Sequence, residues 1–270
     1  SFAESPKQII LKNFNFKVKN FSPAHGGEVL IESLFSFADS PQHTMSASGN
    51  FRAALKLAGA YPPYGTGTAA LNLEEGSYVM DGKKISLNKV HLNADLIYDK
   101  KTDAVMLRSL SGGNKQLGSI NGSAKIVLRG MMPWSATLSV SSVDFAEILA
   151  LVRPVLSQEY AAWTMQGTGH IETNLSGTYA KEQLALDGTI SFRFHKGGFS
   201  SADAAKAAQN ISGKVILKLH YESPKNTLTW SGHSQIAGGE FLWDKYYSNL
   251  SGHEAAATMK GTFFLPSKQL

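Results

Sequence analysis

The sequence contains no cysteine, few charged residues and no long apolar run. Charged residues make up 17% of the 270 positions, below the usual share of about 25%. The absence of cysteine excludes disulfides, thiolate metal ligands and a cysteine nucleophile. No run of about 18 apolar residues is present, which leaves no candidate for a membrane-spanning helix. Lysines are scattered through residues 1–20, so this stretch does not resemble a signal peptide either.

Motifs that carry known catalytic chemistry are also missing. The eight histidines are scattered, and none stands two to four residues from another as a metal-binding pair would. The sequence has no nucleophile elbow and no phosphate-binding loop. We therefore predict no metal, no cofactor and no catalytic residue, and we predict that the protein is not an enzyme. A carbohydrate-active enzyme is an alternative that requires two carboxylates, such as Glu172 and Asp187, to face each other across a cleft.

Alternation of apolar and polar residues is the strongest positive signal. From Gly188 onwards, Ile190, Phe192 and Phe194 alternate with polar residues, which is typical of a strand with one dry and one wet face. The same pattern recurs along most of the chain, and it predicts a mostly β protein built as an extended antiparallel meander or a curled sheet that forms a groove.

Glycines recur at the head of these alternating runs. In the second half they stand at positions 167, 188, 213, 239 and 261, and the steps between them are 21, 25, 26 and 22 residues. We interpret each step as about two strands with their turns, and each glycine as the residue that opens a strand.

Two segments interrupt the β pattern. Apolar residues recur at three- and four-residue steps over residues 144–158, where Asp144 and Glu147 resemble a capping box. This predicts one amphipathic helix, which Pro154 should kink or stop. The alanine-rich stretch 201–209 has high helix propensity and predicts a second, short surface helix.

The helix at 144 divides the chain into two predicted segments. Residues 1–142 form an N-terminal β-meander, and residues 143–270 form the helix and the repeat strands. The two segments are also compatible with one continuous sheet, and we expect the chain to be a fragment of a longer protein.

The two faces of the predicted sheet differ in chemistry. Basic side chains occupy the wet positions and contribute to the net charge of +5, so this face could attract a membrane surface. The aromatic residues lie on the opposite face, which argues against nucleic acid as a partner. The residues predicted to contact lipid on the dry face are Leu55, Leu57, Ile126, Leu128, Ile171, Leu175, Ile190, Phe192, Phe194, Val215, Leu217 and Leu219.

Residues 110–200 resemble a known family. The run Val143 to Leu149, followed by Gly167-Thr168-Gly169-His170-Ile171 and then Leu184 to Ile190, is similar to the AsmA-like envelope proteins, with their TamB-type and YdbH-type members. The resemblance implies a periplasmic β-groove, usually tethered to the inner membrane, whose apolar lining serves phospholipid movement towards the outer membrane. This sequence departs from that pattern because no membrane anchor is predicted within it and because it is far shorter than the long bridging members.

These observations together predict a non-catalytic, periplasmic lipid-handling module of a Gram-negative envelope. Its predicted partners are a phospholipid or another acyl-chain ligand, the membrane surface and other envelope proteins. We expect it to be tethered to the inner membrane through a segment that this sequence does not include. The alternative is a structural or adhesive β-sandwich of the envelope, whose dry face is closed by a second sheet of its own.

Overall fold

A computed structural model describes residues 8–22, 25–38, 45–58, 64–80, 83–180 and 183–264, and these are almost entirely β-strand. The mostly β prediction is therefore confirmed. The strands are β1 (Gln8–Ser22), β2 (Gly26–Ala38), β3 (Met45–Ala58), β4 (Tyr64–Met80), β5 (Lys83–Asp99), β6 (Ala104–Asn114), β7 (Gly118–Val127), β8 (Pro133–Asp144), β9 (Thr164–Ala180), β10 (Gln183–Ser200), β11 (Lys206–Glu222), β12 (Thr227–Ala237), β13 (Glu240–Trp243), β14 (Tyr246–Asn249) and β15 (Glu254–Phe264). Two short helices, α1 (Phe145–Val152) and α2 (Gln158–Ala161), lie between β8 and β9.

All fifteen strands belong to one open antiparallel sheet. Each strand from β1 to β11 pairs with the next one along the chain, and β15 pairs with β12 at the far end. The short strand β13 pairs with the part of β11 that β12 does not reach. β12 and β13 therefore lie one after the other along the same edge of β11, and Gly238 and Gly239 separate them. The predicted antiparallel meander is thus the observed topology.

The strands are longer than the glycine spacing suggested. β9, β10 and β11 have 17, 18 and 17 residues, compared with a usual length of about 5 or 6. One step of the repeat is therefore a single long strand and its turn, and the two-strand interpretation is wrong. Gly188, Gly213 and Gly261 lie inside these strands and do not open them. Pairing along both edges keeps such long strands extended.

The predicted amphipathic helix is present but shorter than expected. Asp144 caps α1 and accepts hydrogen bonds from the backbone N–H groups of Ala146 and Glu147, which satisfies two donors that the first turn leaves free. The α-helix ends at Val152, and Pro154 lies in the single 3-10 turn that follows. Proline removes one backbone donor and clashes with the preceding turn, so the predicted stop is confirmed.

The predicted alanine-rich helix at 201–209 is wrong. Ser201 to Ala205 form a tight turn in which Asp203 accepts hydrogen bonds from the Ser201 hydroxyl and the Ala205 N–H. β11 begins at Lys206, and its Ala208 pairs with Phe199 on one side and Phe241 on the other. Strand pairing on both sides satisfies the backbone more fully than one isolated helical turn would, and it outweighs the helix propensity of alanine.

The sheet has little interior of its own. No large side chain among the described residues is fully buried, and the accessible surface is 17482 Å². A compact monomer of 29.1 kDa would expose about 11,000 Å². The described strands form a single layer, so the second sheet of the predicted sandwich alternative is not found among them.

The sheet also runs without a break across the two predicted segments. β8 pairs with β7 of the first segment and with β9 of the second. The predicted boundary between residues 142 and 143 thus falls within β8. The division of the chain into two segments remains a prediction.

Candidate functional site: an uncovered apolar face

One row of directly paired residues crosses the sheet from β1 to β15. Residues that pair directly across an antiparallel ladder point to the same face of the sheet, and so do residues two apart along a strand. This central row consists of Val18, Val29, Leu55, Gly67, Leu96, Leu107, Ala124, Ala136, Leu175, Gly188, Leu219, Trp230 and Gly261. Every member is apolar or glycine, so one face is apolar across the whole width of the sheet.

The residues predicted to contact lipid fall on this apolar face, with one exception. Leu55, Leu175 and Leu219 belong to the central row, and the flanking rows on the same face contain the others. These are Leu57 and Ile126 in one row, Ile190 and Leu217 in a second, Ile171, Phe192 and Val215 in a third, and Phe194 in a fourth. Leu128 is the exception, because it lies beyond the end of β7, outside the strand register.

The structure adds apolar residues that the predicted set missed. Trp134, Leu138, Trp230, Met259 and Phe263 lie on the same face by their pairing. Trp230 could have been found from sequence, because Leu228 and Gly232 flank it at the two-residue spacing of a strand. Met259 and Phe263 stand in the edge strand, where 54% and 55% of their surfaces are exposed.

Glycines on this face provide space for large neighbours. The ring of Trp230 lies over Gly261, and the rings of Phe145 and Phe192 lie over Gly169. Trp230 and Phe192 thus each cover a glycine on the next strand, and Phe145 reaches Gly169 from helix α1. This shields the backbone hydrogen bonds at these points. The strand side chains pack laterally, so they do not cover the outer surface of the apolar face.

Helix α1 is packed against one end of the apolar face. The Phe145 and Phe192 ring centroids are 6.0 Å apart, and Leu149 is buried. The helix contacts β8, β9 and β5, and Lys83 donates a hydrogen bond to the carbonyl oxygen of Leu156 at 3.1 Å. With 8 residues, α1 is about 12 Å long, far too short to cover rows that cross thirteen strand positions.

The opposite face is polar and basic, as the alternation predicts. Arg193 donates to Glu172 at 2.9 Å, and His170 contacts the other oxygen of the same carboxylate at 3.1 Å. The hydrogen bond with His170 is the main reason that the pKa of Glu172 lies below its ordinary value, and Arg193 adds to this effect. These groups are in contact with solvent, so the cluster orders the surface but contributes little stability.

A second cluster on this face surrounds His220. Its Nδ1 lies 2.8 Å from an Asp187 oxygen and its Nε2 lies 3.3 Å from a Glu222 oxygen. The hydrogen bond with Asp187, followed by that with Glu222, raises the pKa of His220 above its ordinary value. Both partners bind the protonated ring best, so the imidazolium is the form that the fold favours.

A proton titration of His220 tests this cluster. Because the pKa is raised on folding, the stabilising contribution is complete below the unfolded-state pKa and is lost as pH rises through the folded-state pKa. We expect NMR to give a pKa above the ordinary histidine value for His220 in the folded protein. Asp187→Asn should lower that pKa, because it removes the nearer anion. A titration at or below the ordinary value, unchanged in Asp187→Asn, would show that these contacts do not form in solution.

The two carboxylates considered for glycoside chemistry do not face each other. Glu172 pairs with Ser191 in the ladder, and Asp187 stands four positions earlier in β10 (191 − 187 = 4). Their side chains contact different groups, since Glu172 binds Arg193 and His170 whereas Asp187 binds His220. The arrangement therefore does not supply the opposed pair that this alternative requires.

No known protein-family model matches the chain, and no solved structure matches it. Among curated proteins, the chain is similar to the bifunctional purine biosynthesis protein PurH of Microcystis aeruginosa, strain NIES-843 / IAM M-2473. The two are 28% identical over 142 residues, which cover 47% of this chain and 26% of the relative. The chain thus spans about a quarter of the length of the curated relative that it matches.

This match corrects one prediction from the sequence. We predicted that the protein is not an enzyme, and that prediction is contradicted because the relative is a protein of purine biosynthesis. The prediction rested on the lack of sequence motifs, which is weak evidence because the catalytic groups of an enzyme need not be close in sequence. Within the described residues, no helix has the length and hydropathy that crossing a membrane requires.

Proposed function

We propose that the protein is a lipid-handling module whose apolar face holds acyl chains. The observation that carries this proposal is the apolar central row, which is continuous over thirteen strand positions yet has no second layer of described residues over it. We place this role in the bacterial periplasm, in lipid transport or assembly of the envelope.

The energetics of the apolar face support an apolar ligand. Burying one large aliphatic or aromatic side chain is worth about 1.5 to 3 kcal/mol. Leu138 is 40% exposed in the middle of the sheet, and no large side chain in the described part of the chain is fully buried. Much of that favourable free energy is therefore still available to whatever covers the face, and flexible acyl chains fit a long surface of this shape.

The sequence supports the proposed setting. The resemblance of residues 110–200 to AsmA-like envelope proteins agrees with an open apolar sheet, and a β-rich chain without cysteine is compatible with a bacterial envelope. The basic residues on the polar face would favour an anionic membrane surface nearby.

Lipid extraction from the purified protein tests the proposal. We expect organic extraction followed by mass spectrometry to find phospholipid, and we expect a fluorescent fatty acid to gain intensity on titration with the protein. Finding no lipid and no uptake of the fatty acid would contradict the proposal and favour the structural or adhesive alternative.

A second candidate, a role in purine biosynthesis, rests on the match to PurH. The matched region covers less than half of this chain. Binding of AMP or GMP, measured by calorimetry, tests this candidate. Saturable binding of either nucleotide would favour it, and the lack of any binding heat would count against it.

A further inference from the structure

A trough crosses the polar face of the sheet, opposite the proposed acyl-binding surface. Its volume is about 1110 Å³, and it runs from β8 through β12 to β15. The lining follows two polar rows on either side of the central row, for example Thr137 and Thr189 in one and Ser176 and Asp187 in the other. The apolar rows next to the central row do not line it. The trough therefore opens on the polar face.

A smaller trough extends the first one towards the N-terminal half. It has a volume of about 220 Å³, is formed by β6, β7 and β8, and shares Ser135, Ala136 and Thr137 with the larger one. The two together cross eight strands. At about 4.8 Å between strands, the combined length is roughly 34 Å.

Positive charge in the trough is not neutralised by the protein. Arg108 and Lys125 line the smaller part, and Lys218 and Lys260 line the larger one. Within the described ranges, none of the four makes an ion pair. Asp187 is the acidic side chain of the lining, and His220 binds it at 2.8 Å. The trough is therefore complementary to an anion along most of its length.

The remaining lining supplies hydroxyl and amide groups at regular intervals. Thr137, Asn174 and Thr189 follow one another on β8, β9 and β10, and the row continues through Lys218 on β11 to Ser231 on β12. A polar side chain therefore recurs about every 4.8 Å. The aromatic residue of the lining, Trp230, belongs to the apolar central row and stacks on Phe263. Apart from the His220 imidazole, which Asp187 and Glu222 hold, the described lining of the trough presents no ring on its polar side on which a base could stack. This argues against single-stranded nucleic acid.

We propose that this trough binds a linear acidic polysaccharide. Carboxylates of the glycan would pair with Arg108, Lys125, Lys218 and Lys260, and its hydroxyls would bond to the serine, threonine and asparagine side chains between them. The recess between the two polar rows has room for one extended chain. A membrane surface is a plane of headgroups, so it fits this recess less well. The site is on the opposite face from the acyl-binding surface and does not depend on the proposed function.

Fluorescence anisotropy with a labelled polygalacturonate oligomer tests this site. We expect saturable binding that weakens with salt, and no binding of neutral dextran. Lys218→Gln with Lys260→Gln should weaken binding about fivefold, because two unpaired charges leave the trough. The matched control is Lys100→Gln with Lys101→Gln, which removes the same charge from the exposed turn between β5 and β6.

Three results would overturn the proposal. The first is a lack of polygalacturonate binding by the full chain. The second is equal weakening by the trough and turn variants, which would mean non-specific attraction to a basic surface. The third is that a thymidine oligonucleotide or phosphatidylglycerol vesicles bind through Lys218 and Lys260 while polygalacturonate does not. Circular dichroism and thermal unfolding establish that both variants fold, and lipid extraction from the trough variant should match the wild type.

Discussion

Replacing Leu217 by glutamate is expected to weaken acyl-chain binding at least about tenfold, because a carboxylate against an acyl chain has a large desolvation cost. Leu217 lies on the apolar face, where it pairs with Ile190 and Gly232. It is half-buried within the sheet, so the substitution places the charge where an acyl chain would lie. Titration with a fluorescent fatty acid measures the change.

The neighbouring residue provides a matched control for this variant. Ile216 lies on the same strand but on the polar face, between Ser191 and His233. Ile216→Glu introduces the same charge into the same strand, and we expect it to leave fatty acid binding within about twofold. If both variants lose binding equally while remaining folded, the ligand does not occupy the apolar face.

Replacing Gly113 by alanine should cause a large loss of stability. Gly113 is buried in β6 with a φ of 127°, a backbone conformation that residues with a Cβ rarely adopt. A Cβ at this position would also overlap the carbonyl oxygen of Gly118 on the next strand. Strain and overlap together should cost about 2–4 kcal/mol in the free energy of unfolding.

Thermal unfolding measures this loss. A decrease of about 5–10 °C in Tm is expected for a chain of this size. Gly65→Ala is the control, because Gly65 has no positive φ and its nearest contact for an added Cβ is the flexible end of the Leu57 side chain at 3.3 Å. Equal Tm values for the two variants would show that the β6–β7 region relaxes freely around Gly113.

The faces of the sheet could be predicted from sequence, because side-chain direction in a strand depends only on the two-residue period. Phe192 and Leu217 were placed on one face by counting alone, and their strands pair so that the two faces coincide. The helix start at Asp144 was equally local, since a cap is defined within three residues.

Features that depend on pairing partners were beyond local patterns. Ala208 lies in a strand because Phe199 and Phe241 flank it, and no local propensity encodes those neighbours. The same holds for strand length, which was underestimated because the glycines appear as breaks in sequence but lie beneath large side chains in the sheet. The trough on the polar face was missed because it needs the register of eight strands at once.

The open meander also has a consequence for cooperativity. Each strand contacts almost exclusively the two beside it, so the energetics resemble a chain of nearest-neighbour couplings, as in repeat proteins. Outer strands such as β15 are then expected to fray before the middle of the ribbon melts. During evolution, a hairpin could be added or removed at either edge of the sheet without disturbing the other strands. Because a hairpin has two strands, such a change would leave the direction of the edge strand the same.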